Sequence, residues 1–86
     1  MTLRYYTSFE RDYRNLPDDI QRRTDDAIAL FEQNPRHSSL RIKKMKGKIN
    51  VWEGRISRNY HFTFEWENDV VTFRRVGAHQ ILDRGE

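Results

Sequence analysis

The segment Tyr60-His61-Phe62-Thr63-Phe64-Glu65-Trp66 alternates ring-bearing apolar side chains with polar ones without a break. Successive side chains of a strand point to opposite faces, so this pattern specifies a strand with one aromatic face and one polar face. A helix would scatter the same rings around its axis. The alternation also fixes register, because a slip of one residue would carry every ring to the solvent side. Period two continues on both flanks. Ile49–Ser57 and Val70–Gly77 read as strands, with Ser57-Arg58-Asn59 and Asn68-Asp69 as turns short enough for antiparallel hairpins.

The first half reads differently. Leu3-Arg4-Tyr5-Tyr6 is a short strand, and Thr7-Ser8-Phe9-Glu10 has the T-x-x-E form of a capping box opening a helix. Phe9, Tyr13 and Leu16 then share one helical face, and Pro17 ends this helix or opens the next. Ile20, Thr24, Ala27, Ile28 and Phe31 form the apolar stripe of a second helix, which Asn34-Pro35 stops. Residues 35–48 are a linker. The order β-α-α-β-β-β predicts a single α+β domain over residues 1–86, with two N-terminal helices packed on one face of a mostly antiparallel sheet. Leu, Ile, Val and Phe total 20 of 86 residues, so the core is thin. The chain has no cysteine, which removes disulfides and thiol nucleophiles. No stretch approaches the roughly 20 apolar residues of a membrane span, and the charged N-terminus is unlike a signal peptide. The expectation is a cytoplasmic protein with no membrane association.

Charge is unevenly divided. Residues 1–40 carry six basic and seven acidic side chains, and residues 41–86 carry ten basic and six acidic. Arg41, Lys43, Lys44, Lys46 and Lys48 crowd into one short run with no carboxylate. Such a run is either a solvated loop or the footprint of a polyanion. In the strand before the aromatic one, Glu53, Arg55 and Ser57 alternate with Trp52, Gly54 and Ile56. If the first set shares a face with His61, then Glu53, Arg55 and His61 converge beside the cationic run. His79 follows the last strand, where the chain leaves the sheet. Imidazoles exchange protons near neutral pH, and cations stabilise charge building on a phosphate. Two histidines, a carboxylate and several cations therefore suit cleavage of RNA, a reaction that calls for no metal ion or other cofactor. The spacing of His61, His79 and Glu53 matches no metal motif. Each histidine also has a plainer reading, His61 as a residue on an exposed sheet face and His79 as a turn residue; His37 reads as surface.

From Leu40 onward the sequence resembles the RelE/ParE toxin superfamily of toxin–antitoxin pairs. The resemblance is carried by Lys44-Met45-Lys46-Gly47, by Val51-Trp52-Glu53-Gly54-Arg55-Ile56-Ser57-Arg58-Asn59-Tyr60, and by Phe73-Arg74-Arg75-Val76-Gly77-Ala78-His79, in the family's order. It implies a RelE-like microbial RNase fold and a toxin that stops translation by cutting mRNA on the ribosome. The cut would proceed without metal, by attack of a 2′-hydroxyl to leave a 2′,3′-cyclic phosphate. It also implies a cognate antitoxin, held in a hetero-oligomeric complex. Aligned on Trp52, Tyr60 and Gly77, the family's working positions fall on Glu53, Arg55, His61 and His79. Arg55 keeps the basic type, the histidines resemble the YafQ-like and YoeB-like branches, and Glu53 departs from the pattern. Lys43, Lys44, Lys46 and Lys48 are assigned to RNA contact. The Gln80–Glu86 tail lacks the aromatic that RelE stacks on its substrate. Two alternatives stay open: a ParE-like inhibitor of DNA gyrase without nuclease activity, and a degenerate domain kept only for its antitoxin-bound complex.

Overall fold

Tyr60–Glu67 forms the strand at the middle of a five-stranded sheet in the computed structural model, which describes residues 1–84. Gly85 and Glu86, the end of the Gln80–Glu86 tail, lie outside the described residues. In chain order the elements are β1 (Thr2–Tyr5), α1 (Thr7–Arg14), α2 (Asp18–Gln33), a 3-10 turn (Ser38–Leu40), β2 (Lys43–Lys44), β3 (Val51–Ser57), β4 (Tyr60–Glu67), β5 (Val70–Ala78) and α3 (Gln80–Arg84). The sheet order is β1-β5-β4-β3-β2. Only β1 runs parallel to its neighbour, β5; the other pairs are antiparallel. The α+β architecture is the one expected.

The aromatic face of β4 is the core. Phe62 and Phe64 are fully buried, and Phe31 of α2 rests on them edge-on at centroid distances of 6.3 and 5.0 Å. Phe31 also meets Trp66 at 5.6 Å and Phe73 of β5 at 6.0 Å, so one helical side chain ties α2 to two strands. Tilted ring pairs of this kind add to the burial of the rings themselves. The α2 stripe is as expected, with Ile20, Thr24, Ala27 and Phe31 buried. Thr24 satisfies its hydroxyl on the Ile20 carbonyl at 2.8 Å, the local bond that lets a polar residue sit in such a stripe.

Three local expectations are corrected. The capping box does not form: Tyr6 is the N-cap, and no side chain caps the helix. Ser8 instead donates from Oγ to the Arg74 carbonyl at 2.7 Å, and Asp12 accepts from the Val76 amide at 3.2 Å and from Arg75 Nε at 2.6 Å. β1 pairs with β5 only as far as Phe73. Beyond that point α1 takes over this edge of β5 and occupies its backbone groups, as an unpaired edge requires. Ile49 and Asn50 belong to a turn, with Ile49 94% exposed, and β3 begins at Val51. Residues 35–48 are not merely a linker, since they supply the 3-10 turn and β2. A two-residue strand carries too little periodicity to show in sequence. Gly47, at φ 75°, makes the turn from β2 into β3.

Gly54 faces the core across from Phe62. A Cβ there would lie 2.3 Å from Phe62 Cζ and 2.8 Å from Ile42 Cδ1. Phe62 has no room to retreat. Gly54→Ala is expected to lower stability by about 1–3 kcal/mol through overpacking, measured by urea unfolding; an unchanged midpoint would show that β3 sits further from β4.

Candidate functional site

The face of the sheet turned away from α2 brings the candidate residues together through strand register alone. Arg55 of β3 pairs with His61 of β4, and His61 pairs with Gly77 of β5. His79 lies two residues past Gly77, where the chain leaves β5 for α3. Gly77 makes that departure tight: a Cβ on it would stand 3.2 Å from Ile81 of α3, which is buried. The His61 and His79 rings consequently meet edge-to-face with centroids 4.9 Å apart.

Glu53 is two residues before Arg55 and pairs in register with Lys43 of β2. Its Oε1 lies 3.9 Å from Lys43 Nζ, a long ion pair whose lysine is 71% exposed. Such a pair contributes little to stability. Its effect is local, since it sets one negative charge against the cationic wall. Arg55 donates from Nε to the Ser57 carbonyl at 3.2 Å, which ties the guanidinium along β3.

These side chains open on a cleft of about 830 Å³. Its walls include Lys43, Lys44 and Lys46, together with Arg41 and Arg58, and among the described residues Glu53 is the one carboxylate in its lining. A concave surface lined by one sign of charge focuses its potential on an anion. Lys48 is half-buried and is not part of the lining. Sequence reasoning passed over Arg58 as a site residue because it reads as a turn residue. It counted Arg41 in the cationic run without giving it a role. Leu82 of α3 also lines the cleft, and no local pattern marks it.

The polar face is less open than alternation implies. Thr63 is 1% exposed, and its hydroxyl has no hydrogen-bond partner among the described residues. His61 is half-buried, with Nε2 buried and similarly unpartnered. Burial pushes the His61 pKa below its ordinary value of 6.5, and repulsion from His79, Arg55 and Lys43 adds to the effect. Burial thus favours the neutral form of His61. His79 is exposed at the mouth.

A mostly antiparallel five-stranded sheet with α2 packed on one face is a fold this chain shares with solved RelE-like toxins. The chain is similar to a chain of the RelB-RelE antitoxin-toxin complex from Methanococcus jannaschii, with a TM-score of 0.77 and 26% identity over 95% of this chain and 96% of that one. It is similar to YafQ from E. coli strain BL21(DE3), at TM-score 0.79 and 12% identity over 93% and 94%. The YoeB/ParE toxin from Agrobacterium tumefaciens matches at TM-score 0.77 and 18% identity over 92% and 99%. No family model matches the sequence, and a search of curated proteins finds no significant match.

His61 should titrate by NMR with a midpoint below 6.5, the value it has when unfolded. Lys43→Gln or His79→Gln should move the midpoint only part of the way back, because burial is the largest cause. The stability linked to His61 is fully present above pH 6.5 and falls as pH drops toward the folded value, where the unfolded chain binds the proton more readily. A midpoint at or above 6.5 would contradict this environment.

Proposed function

We propose that this chain is the toxin of a toxin–antitoxin pair, an endoribonuclease that cuts mRNA on the ribosome. The observation that carries the reading is the His61–His79 pair, 4.9 Å apart in a cleft lined by cations. His61, favoured in its neutral form, takes the proton from a ribose 2′-hydroxyl as O2′ attacks the adjacent phosphorus. The P–O2′ bond forms and the P–O5′ bond breaks. His79, as the general acid, delivers a proton to the departing O5′, leaving a 2′,3′-cyclic phosphate and a free 5′-hydroxyl. Two protonated imidazoles this close would repel, which disfavours a second proton on His61 while the reaction needs it as a base. Arg55 offers a fixed guanidinium to the phosphoryl oxygens as negative charge accumulates. Lys43, Lys44 and Lys46 hold the flanking backbone or ribosomal RNA through salt-sensitive contacts, and Lys48 extends the same basic surface. Glu53 moderates the lysine wall through Lys43, a positioning role.

The antitoxin is supported by the RelB-RelE complex and by a second surface of this chain. An apolar groove of about 590 Å³ runs between β1, α1 and α2, floored by Tyr5, Phe9 and Ile28. Glu10, Asp25 and Glu32 rim it with one cation, Arg14, leaving the rim net acidic, and Tyr5 is 43% exposed. An apolar segment of the antitoxin with basic flanks would complement it in shape and charge.

His79→Ala should abolish growth arrest while leaving antitoxin binding intact, and retained toxicity would overturn the nuclease assignment. Mapping of mRNA 5′ ends after brief induction should show cuts in register with codons; DNA breaks linked to gyrase with intact mRNA would establish the ParE-type reading instead. Ala29 is exposed on the groove wall. Ala29→Arg should weaken co-purification with the antitoxin at least tenfold and leave cleavage unchanged; undiminished co-purification would place the antitoxin elsewhere.

A further inference from the structure

A smaller cavity of about 320 Å³ lies beside the cleft, at the edge of the aromatic face of the sheet. Trp52 and Trp66 form its wall with Arg36, His37, Arg41 and Ile42, and among the described residues its lining has no carboxylate. The two indoles meet edge-to-face at 6.1 Å and stay half-buried, unlike the sealed phenylalanines beside them. Phe31 braces Trp66 from behind at 5.6 Å. The Trp52 indole N–H is buried and has no hydrogen-bond partner among the described residues.

The polar part of the wall is also held in place. His37 caps the 3-10 turn, and its Nδ1 accepts from the Ser39 amide at 3.2 Å. The proton of the neutral ring is therefore on Nε2, a donor. Arg36 is exposed, and Arg41 takes a left-handed φ of 48° where the chain leaves the turn for β2. Arg41 and Ile42 line this cavity and the cleft alike, so the two lie on either side of one short segment.

Aromatic faces, guanidinium groups and an imidazole donor, with no acid among the described residues of the lining, form a setting for a flat base joined to a phosphate. The volume is at the lower end of small-molecule sites, which run from roughly 300 to 1,000 Å³. We infer that this cavity is a nucleotide subsite: one base of the bound RNA strand, outside the cleft that holds the scissile phosphate, stacks against Trp66 and Trp52, while Arg36 and Arg41 hold its backbone. The inference rests on the RNA-cleavage reading and adds to it a source of sequence preference outside the cleft.

Trp52 and Trp66 are the chain's two tryptophans, so intrinsic fluorescence reports on this cavity. The full chain is titrated with an RNA oligonucleotide carrying 2′-deoxyribose at the scissile nucleotide, and with strands abasic at each flanking position in turn. The intact strand should quench the fluorescence. One abasic position should remove the quench and weaken binding by about 5- to 150-fold, the range one stacked base supplies. Trp66→Phe, which keeps a ring for packing, and Arg36→Ala should flatten the nucleotide preference beside the cuts in ribosome-bound mRNA without abolishing cleavage. Cleavage with unaltered preference in both variants, or binding without quench and indifferent to abasic positions, overturns the subsite and leaves the nuclease standing. Failure of the wild-type chain to cut ribosome-bound mRNA overturns both.

Discussion

Phe31 against the rings of β4 is the contact on which the rest of the structure depends. A single helical residue touches Phe62, Phe64, Trp66 and Phe73, and in doing so fixes which face of the sheet is buried. Because strand side chains alternate, burying that face also decides where His61 goes. Core and site are two readings of one register. The helix side consumes the rings, and the opposite side receives Glu53, Arg55 and His61.

The cations of the chain divide by the same logic. Arg75 is engaged by Asp12 through two nitrogens, at 2.6 and 3.1 Å, and Arg74 faces Glu65 at 3.6 Å, with Tyr6 bonded to the same carboxylate. Those arginines serve the junction of α1, β1 and β5. Arg41, Arg55 and Arg58 line the cleft, beside lysines whose one charged counterweight among the described lining residues is Glu53. Basicity counted along the sequence therefore overstates the charge available to a polyanion, and the cleft concentrates the part that remains.

Much of this was legible before any coordinates. The alternation in β4 and the stripe on α2 are strong periodic signals, and both elements form where the pattern places them. The convergence of Glu53, Arg55 and His61 was conditional on a shared face, and the β3–β4 register supplies it. What escaped the sequence are features set by tertiary contact. Ser8 and Asp12 satisfy β5 in preference to their own helix end, so a sound capping motif went unused. β2 exists because β3 offers it an edge, and Lys43-Lys44 has no strand signature of its own. Thr63 is buried on the polar face, where alternation by itself expects exposure. The edge-to-face histidines depend on Ile81 packing over Gly77, a contact four residues apart that no periodicity announces.

The brevity of β2 gives the cleft two different mechanical characters. Its floor belongs to β3, β4 and β5, strands of seven to nine residues laddered along their lengths. Its lysine wall is joined to that ladder at two register positions, Lys43 with Glu53 and Lys44 with Trp52. Backbone held by few bonds opens at low free energy, whereas the centre of a sheet opens only with the whole fold. Amide protons of the wall thus exchange sooner than those of the floor. His61 stands on the stiff part of the molecule, and the lysines that would meet an irregular polyanion stand on the compliant part.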